Sequence, residues 1–251
     1  MKKALKIIAA IIVIVPLAAF GFLVYSTEAR RADPMDEALA ALVSDDTIAV
    51  EIDDWIVMRP VTAEPTAGLI LYPGANCDVR GYAKVLKEIA AAGYLVVAVA
   101  MPFDFSIFAP NSANAVRDAF PEISDWVIAG HSMGGAMAAQ YAFDHQDDLA
   151  GLILWDSYPP GPSNLSDAQL PVVHIHRATP EGRSSQVFAD KRHLIPTDST
   201  WVPIPGANHM NFGSFIGGGY DEEWDPKIER AEQHRQVVAA TLDGLARMTA
   251  N

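Results

Sequence analysis

One short segment carries the residue types of a nucleophilic serine. Residues 126–135 read Trp-Val-Ile-Ala-Gly-His-Ser-Met-Gly-Gly, so an apolar run leads directly into Gly130-x-Ser132-x-Gly134. A serine hydroxyl attacks a carbonyl carbon only when a base takes its proton and donors stabilise the oxyanion. The pattern predicts a strand that turns sharply into a helix, because the glycines leave room for a tight backbone. We therefore predict Ser132 as the nucleophile.

When a nucleophilic serine lies on a strand-to-helix turn of this kind, the base is expected to be a histidine that follows the last strand of the domain. The chain has seven histidines. His209 lies in Pro-Gly-Ala-Asn-His-Met-Asn-Phe-Gly, residues 205–213, directly after a predicted strand at 201–204. His131 adjoins the serine and cannot easily face it. We therefore predict His209 as the base.

The oxyanion needs two backbone N–H groups. One is expected from Met133, the residue after the nucleophile, and the other from the loop after the third strand. That loop is Tyr-Pro-Gly-Ala-Asn-Cys, residues 72–77, and the N–H of Ala75 is the candidate. Cys77 is the other possible nucleophile, but it lacks the strand, turn and helix that surround Ser132.

Two carboxylates compete for the role of orienting the histidine. The acid normally lies between the serine and the histidine in the chain. Glu181, in Thr-Pro-Glu-Gly at residues 179–182, follows a predicted strand at 172–176. Asp156 directly follows the preceding strand, at 152–155. We favour Glu181 and keep Asp156 as the alternative.

Strands alternate with helices through the rest of the chain, which indicates a mostly parallel sheet with helices on both faces. The eight predicted strands are 47–52, 55–60, 68–72, 95–100, 126–129, 152–155, 172–176 and 201–204. The main predicted helices are 79–92, 113–120, 133–144, 184–192 and 226–248. No long insertion separates the strands, so we expect no large lid domain.

The N-terminus differs in character from the rest of the chain. Lys2, Lys3 and Lys6 precede 19 uncharged residues, 7–25, which would span about 28 Å as a helix. This length favours a single-pass transmembrane anchor, with a cleaved signal peptide as the alternative. The lysines favour a cytoplasmic N-terminus, which places the domain outside the cytoplasm. The predicted divisions are an anchor or signal segment (1–25), a linker with a short helix (26–46) and a catalytic domain (47–251).

Composition limits the partners and cofactors. The 251 residues, half of them hydrophobic, suffice for one sizeable domain. A net charge of −13 argues against nucleic acid, which needs clusters of Lys and Arg. His174 and His176 share a strand face but have no third ligand nearby in the sequence. We therefore expect neither a metal nor a cofactor.

Together these segments resemble the minimal-core bacterial α/β-hydrolases, including the group related to dienelactone hydrolase. The resemblance covers about residues 68–215 and rests on seven segments: 71–75, 82–83, 93–97, 101–103, 130–136, 151–155 and 206–213. It implies an α/β-hydrolase fold and hydrolysis of carboxylic esters. It also implies Ser132 and His209 as catalytic residues, with Ala75 and Met133 at the oxyanion. Members usually carry Asn-Asp-Gly or a similar sequence where this chain has Thr-Pro-Glu-Gly.

Three functions remain open at this point. The leading one is a serine hydrolase that cleaves a small-molecule or lipid ester through an acyl-enzyme. An acyltransferase or lipid hydrolase at a membrane surface is the second, suggested by the apolar residues 101–108 and the N-terminal run. The third is a non-catalytic binding module of the same fold.

Overall fold

The computed structural model describes residues 28–250, together with Ile14, Val15, Gly21 and Tyr25. The strands of this part of the chain are β1 (Ala32–Pro34), β2 (Ile48–Ile52), β3 (Trp55–Pro60), β4 (Ala67–Tyr72), β5 (Leu95–Val99), β6 (Asp125–His131), β7 (Gly151–Trp155), β8 (Val172–Ala178), β9 (Thr200–Pro205) and β10 (Phe215–Gly217). Its α-helices are α1 (Asp36–Ala41), α2 (Ala83–Ala91), α3 (Ser112–Ala119), α4 (Met133–Asp144), α5 (Gln186–Lys191) and α6 (Arg230–Met248).

Eight strands form the main sheet, in the order β2-β3-β5-β4-β6-β7-β8-β9. β3 alone runs opposite to the other seven strands of this sheet, and every neighbouring pair from β5 to β9 is parallel. The parallel strands β4, β5 and β7 are continuous apolar runs because both of their faces are covered. The predicted mostly parallel eight-stranded sheet is confirmed.

Two apolar cores lie on opposite faces of this sheet. One contains side chains of α2 and α6, such as Leu86 and Leu245. The other contains side chains of α3 and α4, such as Val116 and Ala139. Side chains of neighbouring β4 residues alternate between the cores, as the two-residue period of a strand requires. The carboxyl ends of the parallel strands are thereby held together at one edge, where the candidate site lies.

A second, two-stranded sheet joins β1 to β10. Sequence reasoning assigned residues 26–46 to a linker with a short helix. The structure shows α1 there, but it also shows Ala32 fully buried and paired with Gly217. This segment is therefore packed against the domain. The three-residue strand was missed because its pairing partner lies far away in the sequence.

No helix among the described residues is both long enough and apolar enough to cross a bilayer. The predicted anchor over residues 7–25 lies outside the described residues, except for Ile14, Val15, Gly21 and Tyr25.

Candidate active site

Ser132 lies on the sharp turn between β6 and α4. Its backbone has φ 53° and ψ −124°, a conformation that side-chain-bearing residues rarely adopt. The turn closes only because its neighbours lack side chains. A Cβ at Gly134 would clash with the carbonyl oxygens of Tyr72 and Pro73, and one at Gly130 would clash with the backbone of the helix start. The backbone therefore presents the Ser132 hydroxyl at the edge of the sheet.

His209 reaches this hydroxyl from the loop after β9. Its Nε2 lies 3.0 Å from Oγ of Ser132, within hydrogen-bond distance. The carboxylate of Glu222 accepts the backbone N–H groups of His209 and Met210, at 2.9 and 2.7 Å. The ring of Tyr220 stacks on the imidazole, with centroids 3.8 Å apart. These contacts fix the ring against the serine.

Asp156 lies on the other side of the imidazole. Its Oδ2 is 2.6 Å from Nδ1 of His209, and its carboxylate is fully buried. The preference for Glu181 is therefore corrected in favour of the alternative, Asp156. Glu181 lies on an exposed turn beyond β8 and hydrogen-bonds to Thr179. Glu181 lies away from His209 because β8 continues to Ala178, so the turn that follows begins beyond the His209 imidazole.

Arg177 is the principal cationic partner of Asp156. Its Nη1 pairs with Oδ2 of Asp156, and its backbone N–H donates to Oδ1 at 2.8 Å. Its Nη2 lies 3.2 Å from Oε2 of Glu223. Burial by itself would raise the pKa of Asp156, but the hydrogen bond and charge of His209 and the charge of Arg177 outweigh it. They hold the pKa of Asp156 well below its usual range, so the carboxylate is ionised.

The turn after β4 faces the serine. The N–H of Gly74 donates to the Tyr82 hydroxyl at 3.0 Å, and that of Asn76 donates to the Asp104 carbonyl at 2.8 Å. Ala75, between them, lines a cavity shared with Ser132. Met133 is the first residue of α4, so its N–H has no acceptor within the helix. Ala75 and Met133, the two residues predicted to stabilise an oxyanion, therefore each line a cavity together with Ser132.

A buried hydrogen-bond chain joins this turn to the histidine loop. The Tyr82 hydroxyl lies 2.8 Å from Nδ1 of His131, and Nε2 of His131 lies 3.1 Å from the His209 carbonyl oxygen. One neutral tautomer satisfies every group, with Tyr82 donating to Nδ1 and Nε2–H donating to the carbonyl. Burial and the nearby His209 lower the pKa of His131 well below its usual value. His131 is therefore a neutral link between the turn after β4 and the loop that carries His209.

The sequence also suggested Cys77 as a nucleophile and His174 with His176 as a metal pair, and the surroundings of these residues favour neither role. Cys77 is buried, which raises the pKa of its thiol to about 12. It is therefore a poor nucleophile at neutral pH. His174 and His176 hydrogen-bond to each other through their Nδ1 atoms at 2.8 Å, and no cluster of three possible metal ligands exists among the described residues. This pair contributes to packing against Trp201.

Two cavities meet at Ser132. The smaller, of about 310 Å³, is lined by Ala75, Phe105 and Arg30 among others. The larger, of about 570 Å³, has largely apolar walls formed by residues such as Ile107, Met137 and Phe188. Each has the size of a small-molecule site. A substrate whose reacting carbon lies at Ser132 can therefore extend in two directions.

Several residues of the site carry almost no signal in the sequence. Arg177, Tyr220 and Glu222 belong to no motif, and each reaches His209 or Asp156 only through the tertiary fold. A buried arginine directly after the His174-x-His176 strand was the one available hint. It could have been read as a partner for a buried carboxylate, because buried charges are normally paired.

Comparisons with known proteins agree with this architecture. A profile of the alpha/beta hydrolase family matches residues 68–233, and the chain belongs to that family. No curated protein sequence matches the chain. The profile spans the nucleophile turn, both candidate acids and the histidine loop.

Solved structures show the same fold at low sequence identity. A hydrolase of Thermoplasma acidophilum has a TM-score of 0.58 at 15% identity, over 78% of this chain and 99% of its own. A soluble variant of monoglyceride lipase from Saccharomyces cerevisiae has a TM-score of 0.56 at 11% identity, over 83% and 97%. A ferulic acid esterase from Streptomyces cinnamoneus has a TM-score of 0.55 at 16% identity, over 75% and 68%.

Proposed function

We propose that the protein is a serine hydrolase of carboxylic esters, with Ser132, His209 and Asp156 as its catalytic triad. One observation carries this proposal: the two nitrogens of His209 lie 3.0 Å from the Ser132 hydroxyl and 2.6 Å from the Asp156 carboxylate. The same geometry supports nucleophilic attack in serine hydrolases of unrelated folds. The complete set of groups favours catalysis over a binding module.

The reaction follows from these positions. His209 takes the proton of Ser132 as its oxygen attacks the acyl carbon, and the N–H groups of Ala75 and Met133 stabilise the oxyanion. The imidazolium then gives its proton to the departing alcohol, which leaves an acyl-serine. Water, deprotonated by His209, releases the acid and restores the serine. Asp156 keeps Nδ1 protonated and stabilises the imidazolium.

Labelling with a fluorophosphonate tests this proposal. We expect the folded full-length chain to react at Ser132 and to hydrolyse p-nitrophenyl esters, and Ser132→Ala to lose labelling and at least about 10³-fold in kcat. The matched control is Ser124→Ala, an exposed serine just before the other end of β6, which keeps both properties. Absence of labelling at Ser132, under conditions in which a known esterase reacts, would reject the proposal.

We also propose that residues 7–25 hold the domain at a membrane, on its extracytoplasmic side. The support is the uncharged run and the three lysines before it. Release of the domain after cleavage of a signal peptide is the alternative. Flotation of the full chain with lipid vesicles tests the membrane attachment.

A further inference from the structure

We propose that the mouth of the candidate site faces the membrane and that the substrate is an acyl ester of a lipid in that bilayer. This inference rests on the proposed ester hydrolysis and on the proposed location of residues 7–25. It adds a substrate class, an orientation and a surface through which the substrate arrives. Three independent features of the described residues support it.

The first feature is the route of the chain from its N-terminal run to the site. The Ala29 N–H donates to the Tyr25 carbonyl at 3.0 Å, which holds the last residue of the run next to Ala29. The next residue, Arg30, lines the smaller cavity together with Ser132. A membrane segment that ends at Tyr25 would therefore bring the cavity close to the bilayer surface.

The second feature is the set of backbone hydrogen bonds that holds this N-terminal segment on the domain. Ala32 pairs with Gly217 in the small sheet, and its N–H donates to the Asn76 carbonyl at 2.9 Å. The Asp78 N–H donates back to the Ala32 carbonyl at 3.0 Å, and the Gly218 N–H donates to the Arg31 carbonyl at 3.1 Å. These bonds join the segment to the turn after β4 and to the end of β10, both of which border the site. The segment that connects residues 7–25 to the domain is therefore fixed at the border of the candidate site.

The third feature is a set of exposed apolar side chains around the same rim, which we call the rim patch. Its members are Phe103, Ile107, Phe108, Ile216 and Tyr220, which are between 43% and 68% exposed. Ile107 and Tyr220 also line the cavities at Ser132. Apolar side chains that cluster in this way on a domain surface mark a protein or membrane interface.

The occupant of the rim patch follows from its surroundings. The rim patch borders the point at which an apolar run of membrane-spanning length leaves the domain, which favours lipid over a protein partner. It also continues through Ile107 into the larger cavity, whose walls include Met137 and Phe188. An acyl chain that leaves the bilayer can therefore pass along apolar surface as far as Ser132. The exposed Arg30 lies at the headgroup level in this orientation.

The experiment compares two substrates on the full chain bound to phosphatidylcholine vesicles. One is a long-chain fluorogenic ester embedded in the bilayer, and the other is soluble p-nitrophenyl acetate. The variant Phe103→Ser/Phe108→Ser changes the rim patch at two positions that do not line the cavities. We expect a loss of about tenfold or more on the embedded ester and an unchanged rate on the acetate, because only the embedded ester depends on burial of the two phenyl rings in lipid.

The control variant is Val43→Ser/Val61→Ser, which removes two valines that are 66% and 57% exposed elsewhere on the domain. It should keep both rates. An equal loss in the control variant, or an undiminished rate of the rim-patch variant on the embedded ester, would overturn the orientation. Absence of turnover of both substrates by the wild type would instead reject the proposed hydrolysis.

A second measurement keeps the test independent of rate. A nitroxide on Phe108→Cys should be more accessible to oxygen dissolved in the bilayer than to an aqueous nickel complex, and one on Val61→Cys should show the opposite. Cys77 is buried and should not react with the label. A water-exposed label at position 108 in vesicle-bound protein would contradict the inference.

Discussion

The ends of β7 and β8 are adjacent in the sheet, yet they contribute opposite charges to the site. After β7 the chain turns at once, with φ 49° at Asp156, and the carboxylate enters the buried space beside His209. β8 continues through Arg177 to Ala178, which pairs with Pro205 before the chain leaves the sheet. Glu181, the acidic residue that follows β8, therefore lies exposed to solvent, and Arg177 of β8 lies beside Asp156.

This difference shows that the length of a strand decides which carboxylate can act. Both strands end at the same edge, and both are followed by an acidic residue within three positions of the last strand residue. Only the strand that ends early leaves its carboxylate inside the protein. The charge of Arg177, on the longer strand, then offsets the free-energy cost of removing the Asp156 carboxylate from water.

The largest expected effect separates the two carboxylates directly. Asp156→Asn should lower kcat by about 10³- to 10⁴-fold, because a neutral amide neither stabilises the imidazolium nor enforces the reactive tautomer. Glu181→Gln is the matched change on the longer strand and should leave kcat within about twofold. Steady-state hydrolysis of a p-nitrophenyl ester measures both. A larger loss in Glu181→Gln than in Asp156→Asn would reverse the assignment of the acid.

The next effect concerns the arginine. Arg177→Met should lower the free energy of unfolding by about 3 kcal/mol, because it leaves a buried carboxylate without its cation. The pKa of Asp156 is depressed in the folded protein, so its stabilising contribution is present at neutral pH and is lost as pH falls through the folded pKa. Arg177→Met raises that folded pKa, so acid unfolding should begin at a higher pH than in the wild type.

Chemical denaturation at several pH values measures this change. The control is Arg183→Met, which removes an exposed arginine from the turn after β8. Equal stability and equal acid unfolding of Arg177→Met and Arg183→Met would show that the buried ion pair is not needed to hold the carboxylate.

The smallest expected effect comes from the histidine pair on β8. Burial lowers the pKa of His174 to about 3 and that of His176 to about 4. Between pH 4 and 6.5 the unfolded chain therefore binds more protons than the folded protein, and stability falls as pH decreases. His176→Gln should reduce this slope by up to about 1.4 kcal/mol per pH unit, the value for one proton.

Urea unfolding between pH 7 and pH 5 detects the change in slope, and the exposed His193→Gln provides the comparison. An identical slope in the wild type and in His176→Gln would contradict burial of a neutral histidine pair at this position.

The sequence predicted the eight strands of the main sheet, the turn around Ser132 and the loop with His209 because each depends on local information. Apolar runs and glycine positions alone define the turn around Ser132, and the loop with His209 follows a strand directly. The acid could not be chosen in this way, since Asp156 and Glu181 both follow strands. Their burial depends on how far β8 extends, which is decided by its pairing with β9. Arg177 and Tyr220 approach the site only through the tertiary fold.

Ser132 and Asp156 share a feature that opposes the stability of the domain. Each is a non-glycine residue with positive φ, at 53° and 49°, and such a backbone costs on the order of 1 kcal/mol or more at each position. Glycine would relieve that cost at either position and abolish the chemistry. At position 156 this gain would be small against the loss of the buried ion pair between Asp156 and Arg177. At Ser132 no such pair offsets the strain, and the proposed hydrolysis explains why a residue with a hydroxyl is retained there.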